Sequence, residues 1–169
     1  MAYKEEIEKK FLVQKDKLPE LSEGSHLQQG YLGFKPTIRV RTEEGPGEQR
    51  KAYITIKGSG MAGRDEFEYD IPFDEARQLL KLAQASLVNK TRYRLPLQSN
   101  PELEWEIDIY EGENEGLVTA ELEMPSLDYQ FEHPDWLDQD VTEDPSYKNA
   151  ALAQRPFRSR TADNSDEQS

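Results

Sequence analysis

Apolar and polar positions alternate along much of this chain with the period of two that marks half-buried β-strands. In Glu6-Ile7-Glu8-Lys9-Lys10-Phe11-Leu12-Val13, one strand face would carry Glu6, Glu8 and Lys10, and the other Ile7, Phe11 and Val13. Residues 29–32 read as a short strand. Residues 37–41 set Arg39 and Arg41 against Ile38 and Val40, and residues 51–57 set Tyr53, Thr55 and Lys57 against Ile54 and Ile56. Residues 64–71 place Glu66, Glu68 and Asp70 opposite Phe67, Tyr69 and Ile71. Further on, Lys90, Arg92 and Arg94 share a face, as do Glu104, Glu106 and Asp108, and then Thr119, Glu121 and Glu123. One stretch changes period. Phe73, Ala76, Leu79, Leu80, Ala83 and Leu87 recur at helical spacing after Pro72, which predicts a long helix over 73–87 with Asp74 and Glu75 at its positive end. A shorter helix is predicted near 146–153.

The charged faces are sorted by sign. Acids come as Glu-x-Glu at 6/8, 66/68 and 121/123 and as Glu-x-Asp at 106/108; bases come as Arg-x-Arg at 39/41 and Lys-x-Arg at 90/92, with Lys57 alone. A sheet wetted on one face would mix the signs with Ser, Thr and Gln. Whole strands of one sign make sense if they face each other across an enclosed space. The fold expected is therefore α+β: a closed, antiparallel, eight-stranded β-barrel with a charged lumen, its apolar outside covered by a few helices and the C-terminal segment. Charges in such a lumen are costly unless paired or liganded. Carboxylates alone suit Mg²⁺ or Mn²⁺ rather than Zn²⁺, and paired Arg and Lys suit phosphate oxygens.

Composition narrows the class. The 169 residues fit one domain, expected over 1–157, with a polar, disordered tail at 158–169. A net charge of −13 disfavours nucleic acid and anionic lipid as partners. There is no cysteine, which removes thiol nucleophiles and thiolate metal sites. No apolar run approaches the roughly 20 residues of a membrane span, and the N-terminus lacks a signal-peptide core. A cytoplasmic protein, monomeric or homodimeric, is expected. The glycine-rich stretch 58–63 lacks the Lys-Ser/Thr of a P-loop.

The order of the charged motifs resembles a known family. Glu6-x-Glu8-x-Lys10 at the N-terminus is followed by Arg39-x-Arg41, Lys57, Glu66-x-Glu68, Lys90-x-Arg92, Asp108, Glu121-x-Glu123 and Tyr147-Lys148. This series, over about residues 3–155, is similar to that of the CYTH superfamily, the triphosphate tunnel metalloenzymes. Residues 28–32 and 143–149 look most like its short bacterial inorganic triphosphatase branch.

The resemblance implies roles position by position. Glu6, Glu8 and Glu123 would hold a catalytic metal, with Asp108 and Glu121, and less directly Glu66 and Glu68, at a second metal or its waters. Arg39, Arg41, Lys57, Lys90, Arg92 and Lys148 would grip the phosphates. Lys10 would stand beside the attacking water and Tyr31 would hold it, whereas Arg94 and Glu104 read as structural salt-bridge residues. The implied activity is metal-dependent hydrolysis of tripolyphosphate to pyrophosphate and phosphate, with a small-molecule triphosphate as substrate. Alternatives on the same scaffold are cyclic AMP formation, thiamine triphosphate or nucleoside triphosphate hydrolysis, and non-catalytic binding of polyphosphate or nucleotide.

Overall fold

The alternating segments do form strands, and every pairing between them is antiparallel. The structure is a computed structural model and describes residues 7–58 and 66–160. In chain order the strands are β1 (Glu8–Val13), β2 (Ser25–Phe34), β3 (Thr37–Glu44), β4 (Arg50–Lys57), β5 (Glu66–Asp70), β6 (Val88–Pro96), β7 (Glu104–Glu111), β8 (Val118–Glu123) and β9 (Leu137–Asp140). Helix α1 (Phe73–Leu80) lies between β5 and β6, and helix α2 (Asn149–Gln154) follows β9.

The nine strands make one sheet in the order β5-β4-β3-β2-β6-β7-β8-β1-β9. The expected closed eight-stranded barrel is therefore wrong: among the described residues the sheet ends at β5 on one side and β9 on the other. The reason lies in β9, which alternation did not reveal because Leu137-Asp-Gln-Asp140 holds a single apolar residue. It occupies the outer edge of β1, pairing Phe11 with Asp140 and Val13 with Leu137. A barrel seam would have needed that edge.

Although open, the sheet is strongly curved toward its charged side. On flat strands spaced about 4.8 Å apart, side chains on β3 and β6 would be separated by the whole width of β2. Instead Arg94 on β6 reaches Glu43 on β3 at 3.4 Å. Lys90, Asp108, Thr119 and Gln29 are fully buried, yet helices cover only part of this face. They bury one another.

The outer face is apolar and is covered in two patches. Phe11, Trp105, Ile107, Ala120 and Leu122 pack with Trp136 from the segment before β9, and Trp105 meets Trp136 edge-on at 5.3 Å. Val40 and Ala52 pack beneath Ala76 and Leu80 of α1. That helix stops at Leu80, seven residues short of the expected end. Beyond it the amides of Gln84 and Ser86 bond the carbonyls of Tyr31 at 2.9 Å and Ala153 at 3.2 Å, so tertiary partners replace helical ones. Ala83 and Leu87 still pack inward, close over Gly30, where a Cβ would lie 2.8 Å from Leu87 Cδ2 and 3.1 Å from Ala83 Cβ. α2 caps one end of the charged face instead, where Leu152 and Ala153 meet Tyr31, Val88, Tyr110 and Leu117.

Leu122→Ala, in the fully buried part of the outer core, is expected to lower unfolding free energy by about 3 kcal/mol. Leu127→Ala, at a side chain 84 % exposed, should change it by less than about 0.5 kcal/mol. Urea titration of both variants checks the assignment of faces, and similar losses would contradict it.

Candidate functional site

Strand registry places the charged residues in rungs across the concave face. One rung runs Lys10, Glu121, Glu106, Arg94. The next runs Thr119, Asp108, Arg92, Ser25. On the other half of the sheet, Gln29, Arg41, Tyr53 and Asp70 form a rung beside Tyr31, Arg39, Thr55 and Glu68. Lys57 and Glu66 follow. The i, i+2 spacing seen in the sequence thus becomes neighbouring rungs on one face.

Asp108 sits at the middle of this array, fully buried. Its Oδ1 accepts from Arg92 Nε at 2.8 Å, and its Oδ2 accepts from Arg92 Nη2 at 2.9 Å and Lys90 Nζ at 2.8 Å. Burial alone would raise the Asp108 carboxyl, but the charges and hydrogen bonds of Arg92 and Lys90 overrule it and hold it well below the usual carboxylate range. Lys90 moves the other way: burial, with Arg92 and Arg41 nearby, lowers its ammonium against the pull of Asp108. Arg92 also pairs with Glu106 at 2.5 Å.

Lys10 lies at the α2 end of the face. Its Nζ donates to the Tyr147 carbonyl at 2.6 Å and stands 3.5 Å from Glu121 Oε1. Burial would raise the Glu121 carboxyl, but the Lys10 charge leads the effects that leave it lowered. Glu8 is in register with Glu123, both exposed, so two like charges face each other directly across the strands.

Arg39 and Arg41 are different. Among the described residues neither has a carboxylate partner. Arg41 Nε donates to Gln29 Oε1 at 2.9 Å, and Arg39 Nη2 to Thr55 Oγ1 at 3.3 Å. Arg39 Nε is buried with no acceptor among the described residues. Burial, with Arg39 and Arg92 adding like charge, brings the Arg41 guanidinium down to about 10, still cationic at neutral pH. Tyr31 is buried beside them; burial raises its phenol against the opposing field of Arg39 and Arg41, and its hydroxyl accepts from Gln29 Nε2 at 3.4 Å.

The structure brings Lys10, Glu121, Lys90, Arg92, Asp108, Arg39, Arg41 and Tyr31 onto one concave surface. Glu66 and Glu68 are on that face too, but at the β5 edge, where Glu66 lies 3.9 Å from Lys57 and Glu68 accepts from Thr55 Oγ1 at 3.3 Å. Lys148 is an exposed residue at the start of α2. Glu6 falls outside the described residues. No three His, Asp or Glu side chains converge as a metal cage among the described residues. Gln29, Thr55 and Glu106 are each bonded to a site arginine. Gln29 and Thr55 are absent from the predicted motifs and Glu106 enters there only as half of a Glu-x-Asp pair, yet each lies two positions from a predicted site residue on the same strand face. Beyond Arg92, Arg94 and Ser25 open into a cleft of about 340 Å³ bounded by Glu43, Lys51 and Tyr53.

The family model described as the CYTH domain matches residues 4–156, nearly the whole of this surface and its supports. The chain belongs to the CYTH family. An inorganic triphosphatase from Acetivibrio thermocellus is 39 % identical to this CYTH protein over 157 residues, covering 90 % of this chain and 96 % of that one. Its counterpart from Nitrosomonas europaea is 36 % identical over 152 residues, covering 88 % and 96 %. A crystal structure of an inorganic triphosphatase superposes with a TM-score of 0.63 at 32 % identity, covering 88 % of this chain and 93 % of that chain.

Because Asp108 is ionised below the value it has in the unfolded chain, about 3.9, its contribution to stability is complete above that pH and is lost as pH falls through its lowered folded value. Asp108→Asn should cost about 3–5 kcal/mol near neutrality by leaving two cations buried without their carboxylate. It should also flatten the fall in urea midpoint below about pH 4. An acid limb as steep in the variant as in the wild type would remove Asp108 from that linkage.

Proposed function

We propose that this CYTH protein hydrolyses inorganic triphosphate to pyrophosphate and phosphate, on the concave charged face and with Mg²⁺ or Mn²⁺ as cofactor. One observation carries the reading: among the described residues, Arg39 and Arg41 are cations on the concave face with no carboxylate partner, and Arg39 retains a buried N–H donor with no acceptor. A buried unsatisfied donor costs about 1–3 kcal/mol. A compact polyanion would satisfy it and neutralise both guanidiniums. The curated relatives, named inorganic triphosphatases, support this choice of anion.

The donor set fits a hard cation. Mg²⁺ is commonly held by one or two carboxylates, with substrate phosphates and water completing its shell. The opposed pair Glu8 and Glu123 supplies such carboxylates, with Glu121 on the next rung and Glu6 two residues before Glu8. When bound, the ion supplies charge to the phosphate oxygens and acidifies its water. Asp108, whose oxygens are taken by Lys90 and Arg92, serves instead to orient those two cations, and Glu66 and Glu68 balance Lys57 and the Arg39–Thr55 pair.

In the proposed reaction, water attacks the terminal phosphorus in line, and the bond to the bridging oxygen breaks as pyrophosphate leaves. The transition state spreads negative charge over the phosphoryl oxygens, so catalysis depends on position and neutralisation. Arg39 and Arg41 grip one part of the substrate, and Lys90 and Arg92, fixed by Asp108, grip another. Lys10 and Tyr31 flank the attacking water at the α2 end. Lys57 and Lys148 extend the basic lining at the two margins. The polyphosphate is drawn in as a small molecule; the domain comprises residues 1–157, works in the cytoplasm and takes no nucleic acid.

Phosphate release measured from inorganic triphosphate, ATP and thiamine triphosphate, each with Mg²⁺, Mn²⁺ or EDTA, tests the proposal. Release from inorganic triphosphate that EDTA abolishes is expected, with Lys10→Ala lowering turnover at least about 100-fold while calorimetric binding of tripolyphosphate persists. Cyclic AMP and pyrophosphate from ATP, with no phosphate from any substrate, would replace the hydrolase reading with a cyclase.

A further inference from the structure

Lys10 is held twice by one short segment. Its backbone N–H donates to Thr142 Oγ1 at 3.0 Å, and its carbonyl accepts from Val141 N at 2.8 Å. Five residues after Thr142, the Tyr147 carbonyl takes the ammonium of the same lysine at 2.6 Å. The neighbouring β1 residues Phe11 and Val13 pair with Asp140 and Leu137 of β9, with a shift of register between the two pairs. At Lys10 a side-chain hydroxyl stands in for the ladder's backbone acceptor.

The segment is fixed internally. The Thr142 hydroxyl donates to Asp140 Oδ1 at 2.5 Å, which leaves its oxygen to accept from Lys10 N–H. Asp140 Oδ1 also accepts from Thr142 N at 2.9 Å. Four residues on, Asp144 Oδ1 accepts from Ser146 N at 3.0 Å and Ser146 Oγ at 2.7 Å, shaping the turn that presents the Tyr147 carbonyl. Asn149 completes the tie by accepting from Tyr110 OH on the charged face at 2.9 Å.

We propose that residues 140–147 form a strap that positions the Lys10 ammonium beside Glu121, and that Thr142 is its positioning residue. The inference rests on the proposed role of Lys10 in triphosphate hydrolysis. Lysine side chains carry many rotamers, and fixing both ends of Lys10 from one rigid turn removes most of them before substrate arrives. Thr142 acts through Lys10 and needs no contact with substrate. The alternating sequence pattern could not show this, because the strap holds Lys10 through a hydroxyl and a main-chain carbonyl.

The test compares Thr142→Val, Thr142→Ser and Lys10→Ala with wild type in two assays. The first measures kcat and KM for inorganic triphosphate with Mg²⁺. The second measures acetylation of Lys10 by a short pulse of acetic anhydride, read by mass spectrometry, and needs no turnover. Thr142→Val is expected to lower kcat about tenfold with KM nearly unchanged, and to raise Lys10 acetylation several-fold relative to Lys9. Thr142→Ser should restore both. Unchanged acetylation in Thr142→Val would overturn the strap, and so would a loss of kcat that serine fails to rescue. Wild-type protein that releases no phosphate would defeat the hydrolase reading instead, while the acetylation result would still decide whether the strap holds Lys10.

Discussion

The concave face depends on Asp108. A carboxylate with no solvent exposure is expensive, as are a fully buried lysine and an almost fully buried arginine. Together they are tolerable because the geometry is good: the arginine is bidentate, the lysine takes a third lone pair, and Glu106 adds a second acceptor for Arg92. Removing Asp108 would leave Lys90 buried without its carboxylate, and removing either cation would leave Asp108 with one partner fewer. The arrangement gives orientation more than stability, since a well-packed apolar core could fill the same volume at lower cost. Lys90 and Arg92 are thus aimed, rather than merely present.

Curvature follows from the same segregation. Apolar residues on the convex side pack against α1 and the Trp136 segment, while the concave side is left with groups that need polar neighbours. Bending the sheet brings β3 and β6 within reach of each other across β2, as the Arg94–Glu43 pair records. α2 then fills the one apolar end of that face, around Tyr110 and Leu117. The outcome is a gradient: an apolar end beside Lys10, paired charges in the middle, and toward β3 two arginines with no carboxylate partner among the described residues.

Much of this was legible in the sequence because strands convert spacing into faces without remainder. Arg39 and Arg41, Lys90 and Arg92, and Glu121 and Glu123 fall on one face because i and i+2 always do. Closure of the sheet was not legible. It depends on which strand takes the outer edge of β1, and β9 won that edge with one apolar residue and no alternating signal. The end of α1 is hidden for a related reason: Ala83 and Leu87 keep helical spacing, but the backbone around them bonds Tyr31 and Ala153 instead. The state of each carboxylate was also hidden. Asp108, Glu66 and Glu121 look alike as acids at alternating positions, yet one is locked between two cations, one lies beside Lys57 and one faces Lys10. Only cross-strand registry separates them.

The overall charge then acquires a meaning that composition alone could not supply. With 34 acidic residues against 21 lysines and arginines, the mean field repels anions. Arg39, Lys90 and Arg92 on the concave face are nevertheless buried, where the low local dielectric makes their field strong at short range and salt screens it poorly. A long polyanion must lie across acidic surface to reach them, whereas a compact one can enter the face whole. Net charge and local charge therefore act on different parts of the same ligand, and their opposition favours the short, dense anion of the proposed reaction over nucleic acid.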